Sequence, residues 1–281
     1  MLSYQHAYHA GNFADIHKHW LLVLLIEALS RKDKPWCYLD THSGRGKYPL
    51  DSDIANKTAE WREGVGQIWK HAGKAPESLQ SFIQLLGVSD GIGGQEYPGS
   101  PEVVKKLMRP NDRAVLCELH PQEFEWLKKH YRHCSNIHLH FRDGFEGVLG
   151  MVPPPEKRGL VLIDPSYELK QDYQRIPAYL EKLRKRWAGA CVAIWYPVLA
   201  EARHNVLLEG VRKSSVHNVL RSEIRKKNVA KGMVGSGMLI MNPPWKVDQT
   251  IEAGWSFLVE SLQLDDRLSV AVDWLKPEQN A

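Results

Sequence analysis

The sequence predicts an open α/β fold: a seven-stranded, mostly parallel sheet with helices on both faces, plus a small helical insertion subdomain. Three observations carry the prediction. Short apolar runs alternate with amphipathic stretches along the chain, the pattern of strands and helices stacked as βα units. Four of the predicted strands end in, or just before, an acidic residue: Asp40, Glu118, Asp143 and Asp164. The last two strands are separated by a polar turn region around residues 225–237, which suits a closing antiparallel hairpin.

In chain order, the first helix is expected over residues 14–29, behind a leader rich in His and Tyr (YQHAYHAGNFADIHKH). Asp15, Lys18 and His19 fall on one side of it at spacings of three and four, whereas His17 and His19, two apart, do not share a face. By pattern alone this is an ordinary capping helix with exposed polar groups. Strand 36–40 (WCYLD) then runs into a turn with Gly44 and Gly46. Glycine lets the backbone pass close to a ligand and permits positive φ. The turn is not a Walker loop, because position 41 is Thr, nor a complete G-x-G-x-x-G, because position 49 is Pro. A lone G-x-G is equally a plain strand-to-helix turn.

Spacing reveals an insertion. In a nucleotide-binding βαβ unit, the acid that holds the ribose lies roughly 20 residues past the glycine loop. Here Glu118 lies 72 positions beyond Gly46. The intervening stretches 58–72 and 75–87 are helical in pattern, and a loop over 89–100 closes them. The expected division is 1–46 and 98–281 for a Rossmann-like domain and 47–97 for the inserted helical subdomain. At the mouth of the crevice it would support the substrate or serve as passive decoration. The alternation continues with helix 101–107, strand 114–118, helix 121–131, strand 137–141, strand 159–164, helix 172–186 and strand 190–196. Strands 216–224 and 238–242 and helix 250–262 complete it. Ligands of open α/β sheets sit outside the carboxyl ends of the strands. All four strand-end acids are therefore expected to point into one crevice.

Composition narrows the class. With 281 residues, 43% hydrophobic and 25% charged, the chain can bury a sizeable core. The leader is too polar for a signal peptide, and the apolar run 20–26 is far too short to span a bilayer, so a cytoplasmic protein is expected. None of the four cysteines forms a C-x-x-C pair and the histidines are scattered, so no metal site is expected. The net charge of +4 is compatible with a polyanionic partner without demanding one. Basic runs occur at 182–186 (KLRKR) and 225–227 (RKK), a pattern that solvated faces also produce. No surface stripe compels a dimer, so a monomer is expected.

The segment LVLIDPSYELKQDY, residues 160–173, carries the chemistry. An apolar strand delivers Asp164, followed by Pro165, Ser166 and Tyr167. This resembles the [D/N/S]-P-P-[Y/F/W] tetrapeptide of amino-group methyltransferases. An aromatic amine is a poor nucleophile because its lone pair is delocalised into the ring. A carboxylate and a backbone carbonyl that accept its two N–H bonds draw the nitrogen toward tetrahedral geometry and free that pair. Asp164 and the Pro165 carbonyl are the candidate acceptors, and Tyr167 is a candidate platform for an extruded base. Residues 242–245, Asn-Pro-Pro-Trp, fit the tetrapeptide more closely. They end the last strand, however, whereas the motif belongs after the fourth parallel strand. A structural role is expected there, with Trp245 packed against the sheet.

Together, HAGNFADIHKH, YLDTHSGRGKY, YPGSP, CELHP, RDGF, LVLIDPSYE, WYP and GSGMLIMNPPW resemble the RlmJ family of bacterial 23S rRNA (adenine-N6)-methyltransferases, over nearly the whole chain. The resemblance implies a class I Rossmann-like methyltransferase that uses S-adenosylmethionine and acts on 23S rRNA. It implies that His19, His42 and Ser100 contact the cofactor, that Glu118 takes its ribose hydroxyls, and that Asp143 and Gly144 hold its adenine. Asp164 would be catalytic and also border the cofactor, and Tyr4 and Lys18 would meet the RNA. One position departs: the family's D-P-P-Y is here D-P-S-Y, and acceptance by the Pro165 carbonyl needs no proline after it. Alternatives are a DNA adenine or cytosine amino-methyltransferase and a non-catalytic RNA-binding protein that keeps the fold. A nicotinamide-dependent dehydrogenase is weaker, because the glycine fingerprint is incomplete.

Overall fold

Alternate residues along the central strands enter two separate apolar cores, one on each face of a single sheet, as the two-residue repeat of a strand requires. The computed structural model describes residues 5–87, 93–227, 229–262 and 268–278. In chain order the elements begin α1 (Phe13–Ser30), β1 (Cys37–Asp40), β2 (Lys47–Pro49), α2 (Asp53–Thr58), α3 (Val65–His71) and α4 (Glu77–Leu85). Next come β3 (Glu96–Pro98), α5 (Ser100–Leu107), β4 (Arg113–Glu118), α6 (Pro121–Tyr131), β5 (Ile137–Phe141) and α7 (Gly144–Met151). Then follow β6 (Gly159–Ile163), α8 (Gln171–Arg186), β7 (Cys191–Leu199), α9 (His204–Lys213), β8 (Val219–Lys226), β9 (Met233–Met241), α10 (Val247–Ser261) and β10 (Leu268–Lys276).

The main sheet runs β10-β8-β9-β7-β6-β1-β4-β5. Strands β5, β4, β1, β6 and β7 pair in parallel, whereas β9 pairs antiparallel with both β7 and β8. Tyr38, Leu160, Leu162 and Ala193 enter the core under α1, α5 and α10. Leu39, Val161, Ile163, Val192 and Ile194 enter the one under α7, α8 and α9. The expected closing hairpin is β8–β9. The count of seven strands is corrected to eight by β10, which pairs antiparallel with β8. Its sequence LSVAVDWLK lies on an edge, mostly half-buried, and so lacks the long apolar run that marks the central strands. Helices α7 and α9 were also not predicted; α7 carries Gly147 and Gly150, which weaken its helical signal.

The expectation of an ordinary capping helix at the start is overturned. Every residue of α1 from Phe13 to Ile26 is buried, including Asp15, His17, Lys18 and His19. Asn12 caps it, its side chain accepting from the N–H groups of Ala14 and Asp15 at 2.9 and 3.0 Å. His17 lies between Ser236 Oγ of β9 and Ser222 Oγ of β8, both 3.0 Å away. Burial lowers its pKa to about 3, so it packs as a neutral ring.

Between residues 47 and 97 the chain leaves and returns at one point, because β2 and β3 pair antiparallel with Tyr48 opposite Tyr97. Val65, Ile68, Leu79 and Phe82 of this stretch share one core with Trp20 of α1. The Trp20 indole N–H donates to the Ser78 carbonyl at 3.1 Å. No helix among the described residues is long and apolar enough to cross a membrane.

Candidate active site

The parallel strands end on one rim of the sheet, and the loops that leave them wall a cleft of about 1210 Å³. The first turn of α1 and residues 60–67 supply its other side, through Asp15, Lys18, Glu60, Glu63 and Gln67.

One half is built on β1, β4 and β5. Gly44 and Gly46 take left-handed backbone, with φ of 62° and 81°, and turn the chain beneath the cleft. The Gly44 N–H donates to Glu118 Oε2 and the His120 N–H to Oε1, both at 2.7 Å. Burial pushes the Glu118 carboxyl up, against those backbone donors. Beside it, the Ser43 hydroxyl is buried with no hydrogen-bond partner among the described residues. Asp143 caps α7 by accepting from the Glu146 N–H at 3.0 Å. A Cβ on Gly144 would stand 1.9 Å from the Thr41 carbonyl oxygen, so only glycine lets α7 begin against the loop. The His42 ring is edge-on to Phe145 at 5.2 Å, and burial lowers its pKa to about 4. The Arg175 guanidinium covers the same Phe145 at 3.7 Å, with Asp143 3.7 Å and Asp172 3.8 Å away.

The expectation that four acids share the crevice holds for three. Glu118, Asp143 and Asp164 line the cleft. Asp40 is fully buried beneath it and accepts from Tyr38 OH and Ser100 Oγ at 2.7 Å and from the His42 N–H at 3.1 Å. β1 is central in the sheet, so its last side chain faces protein rather than solvent. Ser100 itself borders the cleft while its hydroxyl is committed to Asp40.

The other half is built on β6, β7 and α1. Asp164 follows β6, and its Oδ2 accepts from Lys18 Nζ at 2.7 Å. Lys18 also reaches Asp15 Oδ1 at 3.1 Å and stands 5.5 Å from the Trp195 ring centroid. Burial opposes ionisation of Asp15, yet His6 and Lys18 hold it well below the usual carboxylate range. His19 borders the cleft with Nδ1 2.8 Å from Tyr97 OH; burial and then the Lys18 charge hold its pKa well below the usual range. Lys18 is buried in this network rather than displayed on the surface. The Pro165 carbonyl accepts no hydrogen bond from the described residues.

Tyr167 does not present its ring as expected. With a φ of 54° its side chain lies inward, where it is 7% exposed, meets the Tyr173 ring at 4.5 Å and a 34° tilt, and donates from its hydroxyl to the Trp195 carbonyl at 2.6 Å. The half-buried Trp195 ring does line the cleft. Trp195, Ser43 and Arg175 were not singled out in the sequence. For Trp195 a signal existed, since WYP ends a predicted strand beside Asp164.

Asn242 lies at the opposite rim. β9 runs against β7, and Met241 pairs with Val192 at the start of that strand. The Asn242 amide donates to the Ala188 and Ala190 carbonyls at 2.9 Å, a structural role. Trp245 does not pack against the sheet: it is 84% exposed, because positive φ at Asn242 and Lys246 throws the turn outward. Tyr4 lies outside the described residues.

A parallel sheet closed by reversed strands, with this cleft at its carboxyl rim, defines the Rossmann-like methyltransferase class. The model of the family described as ribosomal RNA large subunit methyltransferase D, RlmJ, matches residues 33–276, and the chain belongs to that family. It is 38% identical to ribosomal RNA large subunit methyltransferase J of Haemophilus influenzae, over 99% of this chain and 100% of that one. To the protein of the same name from Escherichia coli it is 36% identical, again over 99% and 100%. The crystal structure of a Legionella pneumophila protein superposes with a TM-score of 0.87 at 33% identity, over 95% of this chain and 98% of that one.

Proposed function

We propose that the protein transfers a methyl group from S-adenosylmethionine to the N6 amino group of an adenine in 23S rRNA, acting as a monomer in the cytoplasm. The reading rests on family membership and on one observation above others. A carboxylate held by a buried lysine, followed by a backbone carbonyl that accepts no hydrogen bond from the described residues, shares a cleft with a strand-end acid above a glycine turn.

The first half of the cleft fits the cofactor. The unpartnered Ser43 hydroxyl and the Glu118 carboxylate, fixed by two backbone donors, suit the polar groups of a nucleoside. Glu118 takes the ribose hydroxyls. Asp143, Gly144 and His42 hold the adenine, and His19 and Ser100 close the remaining wall. When bound, S-adenosylmethionine supplies a methyl group on a positively charged sulfonium. The protein's part is positioning and electrostatics. Asp164 and the Pro165 carbonyl accept the two N–H bonds of the target amine. Lys18 orients the Asp164 carboxylate and meets the RNA base there. Trp195 flanks the base, while Tyr167 holds the turn by its bond to the Trp195 carbonyl. Tyr4 meets the RNA from the leader, and residues 47–97 act as an inserted subdomain that supports the substrate.

The test is transfer of labelled methyl to protein-free 23S rRNA, with nucleoside analysis of the product. The expected product is N6-methyladenosine. Asp164→Ala is expected to lower transfer by about 10²-fold or more while calorimetric affinity for the cofactor is kept. Methylation of duplex DNA in preference to rRNA, or loss of cofactor binding together with activity in a folded variant, contradicts the reading.

A further inference from the structure

The two basic runs of the sequence lie at opposite rims of the sheet. KLRKR closes α8 at the rim away from the cleft, where Arg184 donates to the Ser215 carbonyl at 3.3 Å and Arg186 to the Leu149 carbonyl. RKK ends β8, which runs parallel to β7 and so reaches the rim that carries the cleft. There Lys226 lines the cleft with its ammonium 4.3 Å from the Phe13 ring centroid. Lys227 and Lys231 are exposed on either arm of the turn. The turn is tied to the end of β7, because the Ala200 N–H donates to the Gly232 carbonyl at 3.1 Å.

The charge of the cleft gives this placement a meaning. Among the described residues, nine carboxylates line it against three cations, Lys18, Arg175 and Lys226. Lys18 is paired with Asp15 and Asp164, and Arg175 lies between Asp143 and Asp172. Lys226 has no carboxylate within 4.0 Å among the described residues. A neutral base can enter so acidic a cleft, but the phosphates on either side of it are repelled and must be held at the rim. The strand that carries Lys226 lies three strand spacings from β6, roughly 14 Å, on the side away from Glu118 and Asp143. That is the target side, within reach of phosphates flanking a base delivered to Asp164.

The geometry points to the β8–β9 hairpin as the grip for the RNA backbone beside the extruded base, with Lys226, Lys227 and Lys231 on its phosphates. The proposal rests on the reading of the substrate as RNA.

Filter binding of protein-free 23S rRNA across a salt series tests it, with Lys227→Glu/Lys231→Glu set beside wild type and beside Lys182→Glu/Lys185→Glu on α8. The hairpin variant is expected to bind RNA about tenfold more weakly at 0.1 M salt. Its log K against log salt line should be shallower by roughly 1.4–1.8, the loss of two phosphate contacts. Calorimetric affinity for S-adenosylmethionine should stay within twofold, which shows that the fold is intact. The α8 variant should match wild type. Unchanged affinity and slope in the hairpin variant, or equal weakening in the α8 variant, overturns the proposal while RNA methylation by wild type keeps the functional reading. A wild-type protein that neither binds nor methylates rRNA overturns both.

Discussion

Asp40 illustrates what a central strand does to a charged side chain. It is fully buried, and burial pushes its pKa up to about 6, against hydrogen bonds from Ser100, Tyr38 and the His42 N–H. The folded protein therefore binds this proton more tightly than the unfolded chain, where a carboxyl titrates near pH 4. Below that pH both states are protonated and Asp40 has no effect. Between about pH 4 and 6 the unfolded chain ionises first, so stability falls as pH rises, by about 3 kcal/mol in all. Asp40→Asn should flatten this part of the profile, read as urea-unfolding free energies at intervals across pH 4–7; parallel profiles for variant and wild type would sink the assignment. Asp164 was legible in the sequence because strand, acid and proline follow one another along the chain. The orientation of Tyr167 and the exposure of Trp245 were not. Each depends on positive φ at residues that rarely adopt it, Tyr167 and Lys246, where the sequence carries no marker.

At the scale of the element, α1 departs furthest from its sequence pattern. Polar residues in its first turns suggested a solvent-facing side, yet they meet buried partners: Asp15 meets His6 and Lys18, Lys18 meets Asp164, and His17 meets two serines. Those partners come from distant parts of the chain, so no local pattern could reveal them. A helix that starts inside the protein has no water for its first N–H groups, which makes its cap more important. Asn12→Ala is expected to cost about 1–2 kcal/mol in urea unfolding, with Asn12→Ser recovering most of it. Stability unchanged in the alanine variant would contradict this account. Strands β4 and β6 were legible nearly to the residue, because central strands are apolar on both faces. Strand β10 was not, since an edge strand keeps only part of that signature.

Taken whole, the molecule separates two tasks across one sheet. The parallel strands carry the polar groups proposed for the cofactor, and the reversed strands at one end carry α1 and the basic hairpin. Strand order along the sheet differs from order along the chain, so the position of Asn242 at the wrong rim became plain only from the pairing of Met241 with Val192. The same order predicts strong dependence on the C-terminal strands. A chain ended after residue 218 lacks β8, β9, α10 and β10, and with them the part of the surface burying α1 that β9 and α10 supply. It is expected to elute as aggregate in size-exclusion chromatography and to bind no S-adenosylmethionine. A monomeric fragment with a cooperative unfolding transition would refute this.

The bonds from His17 to Ser222 and Ser236 span 205 and 219 positions. During synthesis, α1 is made first and its partners are among the last segments to appear. Helices α4 and α5 follow soon after and pack on part of α1, but the side that meets β9 and α10 stays uncovered for most of that time. At about 5–20 residues per second, the wait lasts on the order of ten seconds or more, long compared with hydrophobic collapse. The helix that organises the finished cleft thus keeps one apolar side in need of cover until the last strands are translated.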